Sequence, residues 1–393
     1  MFLKALQQQN PALIDSAIAL LQNGTILPDT YVIDVDQFIN NARIIKEKAE
    51  RCGIRLYGMT KQLGRNPLLA KILVDELGYD GVVCVDFKEA RQLHQAGVKI
   101  SHLGHLVQPP SHYIPYIVSA IQPEVITVYS IEKAREISAA AVKANRRQGI
   151  LLKFFHAADT FYINQEAGFP IGSLETVCNE VAALPNLHIA GLTHFPCFLY
   201  NPDTHQTEPT QNLDTLLDAR SRMLERGYEV SQLNMPSATS TQTLEIIKQS
   251  GGTHGEPGHA LTGTMPANQD GSQPEKVAMA YVTEVSHQFG GNSYCFGGGY
   301  YRRGHMAHAL IRQHTAQGLQ RDTIVGVRND DDASIDYHLQ LESPCRVGTP
   351  VVMAFRTQIF VTRSDVALVA GISNNAPTLL GLYDAQGNEV EHG

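Results

Sequence analysis

The six cysteines of this 393-residue sequence include no C-x-x-C pair. That absence removes the usual structural-zinc spacing and leaves no dense disulfide scaffold, so Cys52, Cys84, Cys178, Cys197, Cys295 and Cys345 are expected to be free thiols. Positive charge is also scarce: 31 Lys and Arg face 39 Asp and Glu, a net charge of -8 with pI near 6.0. A nucleic-acid surface needs a basic patch to replace counterions along phosphates, so nucleic acid is excluded as the expected partner. No apolar run reaches the length of a transmembrane helix. The start, MFLKALQQQNPALIDSAIALLQNG, breaks its apolar residues with three glutamines and lacks a signal-peptide core and cleavage site. No internal repeat or biased tract is present. The expectation is a cytoplasmic protein with a small-molecule substrate and no membrane partner.

What is present is enough chain for two cores, since single cores rarely grow past roughly 250 to 300 residues. Between about residues 54 and 260, short runs rich in β-branched residues alternate with helical patterns: IRLYGMTK, YDGVVCVD, VKISHLGHL, VITVYS, GILLKFF, HIAGLTHF, EVSQLNMPS and GTHGEPGH. Eight βα units predict a parallel (β/α)8 barrel, with function on the loops at the carboxyl ends of the strands. NPLLAKILVDELG reads as a helix ended by glycine, and SIEKAREISAAAVKANRR as one opened by a serine N-cap. After residue 270 strands and glycine turns replace the helices, which predicts a separate β-domain joined through ANQDGSQPEK. The expected division is an N-terminal helical extension over 1–28, a barrel over 29–270 and a β-domain over 271–393.

Lys61 ends the first strand in G-M-T-K, at the rim where a partly desolvated amine becomes available to a carbonyl. Position alone does not set it apart from an exposed surface lysine. The loops after strands seven and eight add context, because a phosphate in this fold sits there. Strand seven ends in N-M-P-S-A-T-S-T, with hydroxyls at Ser237, Thr239 and Ser240; strand eight ends in G-E-P-G-H, where Gly258 admits close backbone approach and the amides of Gly258 and His259 can face an anion.

The strand-one lysine, the H-I-A-G-L-T-H-F strand, the S-A-T-S loop, the E-P-G turn and the following β-domain occur in an order that resembles the fold-type III pyridoxal-5′-phosphate (PLP) enzymes, the alanine racemase and basic-amino-acid decarboxylase superfamily. The resemblance spans nearly the whole chain from about residue 30. It implies that Lys61 holds PLP as a Schiff base and serves as an α-carbon base, that His194 lies beside the cofactor ring, and that Ser237, Ser240, Gly258 and His259 take the phosphate. It further implies a homodimer with shared active sites, acting on an amino acid through an external aldimine and α-proton abstraction. A racemase is the leading expectation, with a decarboxylase or β-eliminating lyase as the alternative.

Three departures matter. Where racemases have Arg-Pro-Gly this sequence has Glu256-Pro257-Gly258, as decarboxylases do, so a carboxylate would keep the pyridine nitrogen protonated. The racemases' catalytic tyrosine position in C-F-G-G-G-Y-Y is Phe296, leaving Tyr294, Cys295, Tyr300, Tyr301, Tyr337 and Cys345 as candidates for the second proton-transfer group, with Asp336 and His338 beside Tyr337. The strand-five stretch K-F-F-H-A-A-D-T-F-Y-I-N-Q-E-A-G-F lacks the racemases' carboxylate-holding arginine; Asn164 and Gln165 offer hydrogen bonds but no cationic fork. Two other classes stay open: a PLP carrier without turnover, and a metal-dependent barrel using some of His102, His105, His156, His194, His254 and His259.

Overall fold

The computed structural model of the chain describes residues 1–314, 320–328 and 335–391. It contains two compact units, one of Arg43–Thr60 and Pro67–Gly258, the other of Met1–Ala42, Lys61–Asn66 and His259–Gly393.

The first unit is a closed parallel barrel of eight strands: β1 Arg55–Met59, β2 Gly81–Val83, β3 Ile100–Leu103, β4 Val125–Val128, β5 Gln148–Leu152, β6 Leu187–Thr193, β7 Gln232–Asn234 and β8 His254–Gly255. Each overlaps one of the eight apolar runs, β5 and β6 beginning one residue ahead of theirs. Closure is made where His254 of β8 pairs with Arg55 of β1. The helices between them start where side chains satisfy free backbone amides: Asp86 accepts from Lys88 and Glu89, Ser130 from Lys133, and Thr210 from Asn212. Gly78, at φ +68°, follows the segment Pro67–Glu76, whose first turn is α and whose second is π-helical. At the amino end of the barrel Arg55 bonds Asp80 at 2.8 Å and both oxygens of Glu124 at 2.6 and 2.8 Å, tying β1 to β4.

Backbone approach between β6 and β7 is the tightest constraint in this unit. A Cβ at Gly191 would lie 1.7 Å from the carbonyl oxygen of Gln232. Backbone cannot yield as a side-chain tip can. Gly191→Ala is expected to destabilise the barrel by about 3 kcal/mol, the upper range for overpacking, read as a lower urea midpoint with unchanged slope.

The second unit is built on a nine-stranded sheet in the order Asn292–Phe296, His338–Leu341, Gln320–Arg328, His308–His314, Pro350–Met353, Met279–Phe289, Thr30–Asp34, Asp365–Ala370 and Thr378–Tyr383. Two helices, Leu3–Gln9 and Pro11–Gln22, bury Leu3 and Leu6 of the first and Leu13, Ile14, Ala17, Ile18 and Leu21 of the second in one cluster with Val32, Val282, Val352 and Ala367 of that sheet. The N-terminal helices are therefore part of this unit's core. Thr30–Asp34, inside the stretch expected to be barrel, lies between Met279–Phe289 and Asp365–Ala370 in the sheet. The stretch read as a joining linker is likewise tied down. Asn268 is buried and donates to the carbonyls of Gly263 and Glu275, both at 2.9 Å.

Candidate active site

Carboxyl ends of the barrel strands gather buried polar side chains that apolar strands would not carry without a task. The central one is Glu256, directly after β8, whose side chain is fully buried. Its Oε1 meets His102 Nδ1 at 2.6 Å and accepts from Asn234 Nδ2 at 2.8 Å. His102, on β3, meets Thr127 Oγ1 of β4 at 2.7 Å through its other nitrogen, so Nδ1 carries the proton toward the carboxylate when Thr127 donates. The backbone N-H of Glu256 donates to Thr239 Oγ1 at 3.0 Å. Four strand ends thus hold one carboxylate, while its second oxygen, Oε2, is buried with no partner among the described residues. A buried acceptor in that state suits a donor brought by a ligand.

A second cluster follows β6. His194 is buried, bonds Asp159 Oδ2 through Nε2 at 2.8 Å, and accepts the Phe195 amide on Nδ1 at 2.8 Å. That pattern fixes the neutral tautomer with the proton on Nε2. Burial pushes the His194 imidazole below its ordinary value, against the pull of Asp159. Burial alone would raise Asp159, but the bonds from His194, from Thr215 Oγ1 at 2.6 Å and from the His156 amide hold it below the usual carboxylate range. After β7, Ser237 Oγ accepts from the Phe198 amide at 2.9 Å, leaving its own proton to donate, and Ser240 Oγ lies 3.3 Å from Thr243 Oγ1. A Cβ at Gly255, just before Glu256, would lie 2.8 Å from the Thr239 methyl, so this turn is packed to the limit of glycine. Thr60, the residue before Lys61, donates to buried Glu89 Oε1 at 2.5 Å, and Glu89 Oε2 accepts the Val85 amide at 2.6 Å.

In the sheet unit, Lys61 opens the 3-10 turn Lys61–Leu63. His259 Nε2 faces two donors, Arg356 Nε and Gln358 Nε2, each at 3.3 Å, so it is the acceptor nitrogen, and Nδ1 lies 3.3 Å from Thr264 Oγ1. Burial, then the cations Arg356 and Lys61, hold this imidazole far below its ordinary value. The second-base candidates separate. Asp336, beside Tyr337 in the chain, accepts the amides of Gly298 and Tyr300 at 3.0 and 2.9 Å and pairs with Arg363 at 3.0 Å, while the Tyr300 hydroxyl donates to the Arg302 carbonyl at 3.1 Å. Tyr337 is 66% exposed and the Arg363 guanidinium lies over its ring. Tyr294 stacks on His287 and donates to Gln340 at 3.3 Å. Cys295 is buried and its thiol is pushed up to about 12 by burial. Cys345 is buried too, raised by burial and bonded to Ser293 and Ser343.

Sequence reasoning named His102 only as a possible metal ligand, and it missed Thr127, Asn234, Glu89, Asp159 and Lys153. The signal available was a polar residue inside an apolar strand, as in K-I-S-H-L and I-L-L-K-F. His102, His194 and His254 go to separate partners, Glu256, Asp159 and Thr253. Among the described residues no group of three or more His, Cys, Asp or Glu is arranged to hold a metal ion, and no helix is long and apolar enough to cross a membrane.

Residues 33–266 match the family described as "Alanine racemase, N-terminal domain". The chain belongs to that family. Residues 280–379 match "YhfX-like, C-terminal domain". The chain is 52% identical over 390 residues to "Uncharacterized protein YhfX" of Escherichia coli K12, covering 99% of this chain and 100% of that one. Among solved structures, D-threonine aldolase from Filomicrobium marinum aligns with TM-score 0.67 at 16% identity, over 91% of this chain and 95% of its own. D-threo-3-hydroxyaspartate dehydratase from Delftia sp. HT23 gives 0.65 at 15%, over 94% and 98%. Alanine racemase of Clostridium difficile 630 in complex with cycloserine gives 0.62 at 15%, over 91% and 99%. At such identities these likenesses concern the fold, which is that of the fold-type III PLP enzymes. PLP is the family's cofactor. The residues present fit it: the unpartnered Oε2 of Glu256 suits a protonated ring nitrogen, and the Ser237 hydroxyl keeps a proton to give to a phosphate.

Proposed function

We propose that this protein is a PLP-dependent enzyme that removes the α-proton of an amino acid, with racemisation as the outcome. The observation that carries this reading is Glu256, a buried carboxylate clamped by His102 and Asn234 with one oxygen left for a ligand donor. When bound, PLP supplies a sink for the electron pair left at the α-carbon. Glu256 would keep the ring nitrogen protonated, and His102 keeps Glu256 oriented. Lys61 would hold the cofactor covalently and take the α-proton. Ser237, Ser240, Gly258 and His259 are assigned to the phosphate, and His194 to a place beside the ring, where its neutral tautomer adds no charge. The second proton falls to Tyr300 or Tyr337, contributed by the partner chain of a homodimer; their greater exposure supports them over the buried thiols of Cys295 and Cys345. A lyase acting on the same class of substrate is the second reading. Phe296 favours it, because the phenyl ring at the racemases' tyrosine position moves no proton.

The test is deuterium uptake at the α-carbon across a panel of amino acids in heavy water, with chiral analysis and the visible spectrum of the purified protein. Exchange with inversion supports racemisation, and exchange with a lost substituent supports the lyase. A PLP-loaded protein that exchanges none of them would overturn both.

A further inference from the structure

Lys153 is the residue after β5, and only 3% of its surface is exposed. Its place is built. The Lys153 carbonyl accepts the Phe169 amide at 2.8 Å, and Gly168 closes over the side-chain stem so tightly that a Cβ there would lie 3.2 Å from Lys153 Cγ and 2.9 Å from its oxygen. Nζ lies 5.3 Å from the centre of the Phe161 ring and 5.8 Å from that of Tyr129, within reach of cation–π attraction. No carboxylate makes an ion pair with it among the described residues. The groups facing it are committed elsewhere. Asp159 gives one oxygen to His194 and the His156 amide and the other to Thr215. The Cys197 thiol is kept neutral by burial and donates to the His194 carbonyl at 3.2 Å. Tyr129 donates to the His105 carbonyl, and His194 is neutral. Burial lowers the Lys153 ammonium to about 8, which leaves it mostly charged at neutral pH. A buried ammonium without a partner is costly unless an anion arrives. The same strand-five stretch carries no arginine for a substrate carboxylate.

We propose that Lys153, its ammonium held against the Tyr129 and Phe161 rings, is the anion anchor of the site and takes the carboxylate of the substrate. The substrate class is accordingly amino acids with a free carboxylate, in preference to the matching amines or amides. The proposal rests on the amino-acid reading above. It predicts a point-charge contact, with discrimination set by charge more than by bidentate geometry.

Calorimetric titration of the full-length protein with propionate and with propionamide tests this, because neither probe carries an amine to react with the cofactor. Wild type is expected to prefer propionate by at least about tenfold, Lys153→Met to lose the preference, and Lys153→Arg to keep most of it. As pH rises through 8, propionate binding should weaken and take up a proton, visible as a heat that depends on the buffer's ionisation. That signature is read on the wild type, so it stands even if the methionine variant fails to fold. No propionate preference in the wild type, or one that survives Lys153→Met, would overturn the anchor. A visible spectrum of each sample reads the cofactor separately: a missing PLP band counts against the PLP reading, while the propionate preference still judges Lys153.

Discussion

Lys61→Ala is expected to give a folded protein that no longer carries PLP covalently and whose α-proton exchange falls by on the order of a thousandfold or more, since both the attachment point and the base are removed. The fold gives the replacement a clean background. Thr60, immediately before it, is fixed by the buried carboxylate of Glu89, which also takes the Val85 amide, so the end of β1 has an anchor besides the Lys61 side chain. Borohydride reduction of the wild type followed by peptide mass analysis should place PLP on the peptide containing Lys61, and reduction of the variant should leave none attached. A reduced adduct on another lysine in the variant would remove Lys61 from the covalent role. Far-ultraviolet circular dichroism checks that the barrel persists.

The eight barrel strands were legible because each carries its own signal, a short β-branched run before a capped helix. Long-range pairing has no such local mark. Thr30–Asp34 falls inside the stretch expected to be barrel, yet it pairs in parallel with Asp365–Ala370, and nothing in T-Y-V-I-D names a partner more than 300 residues away. The loop at 267–276 looks like a linker from its Gly, Pro and Asn, but those residues also suit a tight buried turn, and Asn268 uses its amide for that purpose. At the site, Glu256 was visible through its E-P-G setting, while the residues that orient it were not. His102, Thr127 and Asn234 come from three other strands, and only barrel closure shows that their inward positions meet. Lys153 was hidden differently. Its stretch was read for a missing arginine, and the lysine opening that same stretch passed as one polar residue in an apolar run.

Glu256 carries the other large effect, and its surroundings decide which substitution reads it. Arginine at this position would bring a cation against the His102 Nδ1 proton and the Asn234 amide, all donors with no acceptor between them. Breaking a buried pair in that way costs about 3 to 5 kcal/mol, so Glu256→Arg would mix a folding defect with any electronic effect. Glu256→Gln keeps the length and shape. Its amide oxygen can still accept from His102 and Asn234, and its NH2 then occupies the place of Oε2. A donor there opposes a protonated ring nitrogen, so the electron pair left at the α-carbon has a weaker sink. The expected outcome is retained PLP and near-native stability, with α-proton exchange slowed at least about tenfold, or ~1.4 kcal/mol of barrier. The measurement compares wild type and Glu256→Gln at saturating PLP on every amino acid that exchanges deuterium. His102→Asn serves as the companion variant: it leaves the carboxylate but loosens its orientation, and should slow exchange less than the loss of charge does. Equal exchange rates for wild type and Glu256→Gln on all responsive amino acids would show that Glu256 does not set the charge of the ring, and its unpartnered oxygen would then have to face some other donor.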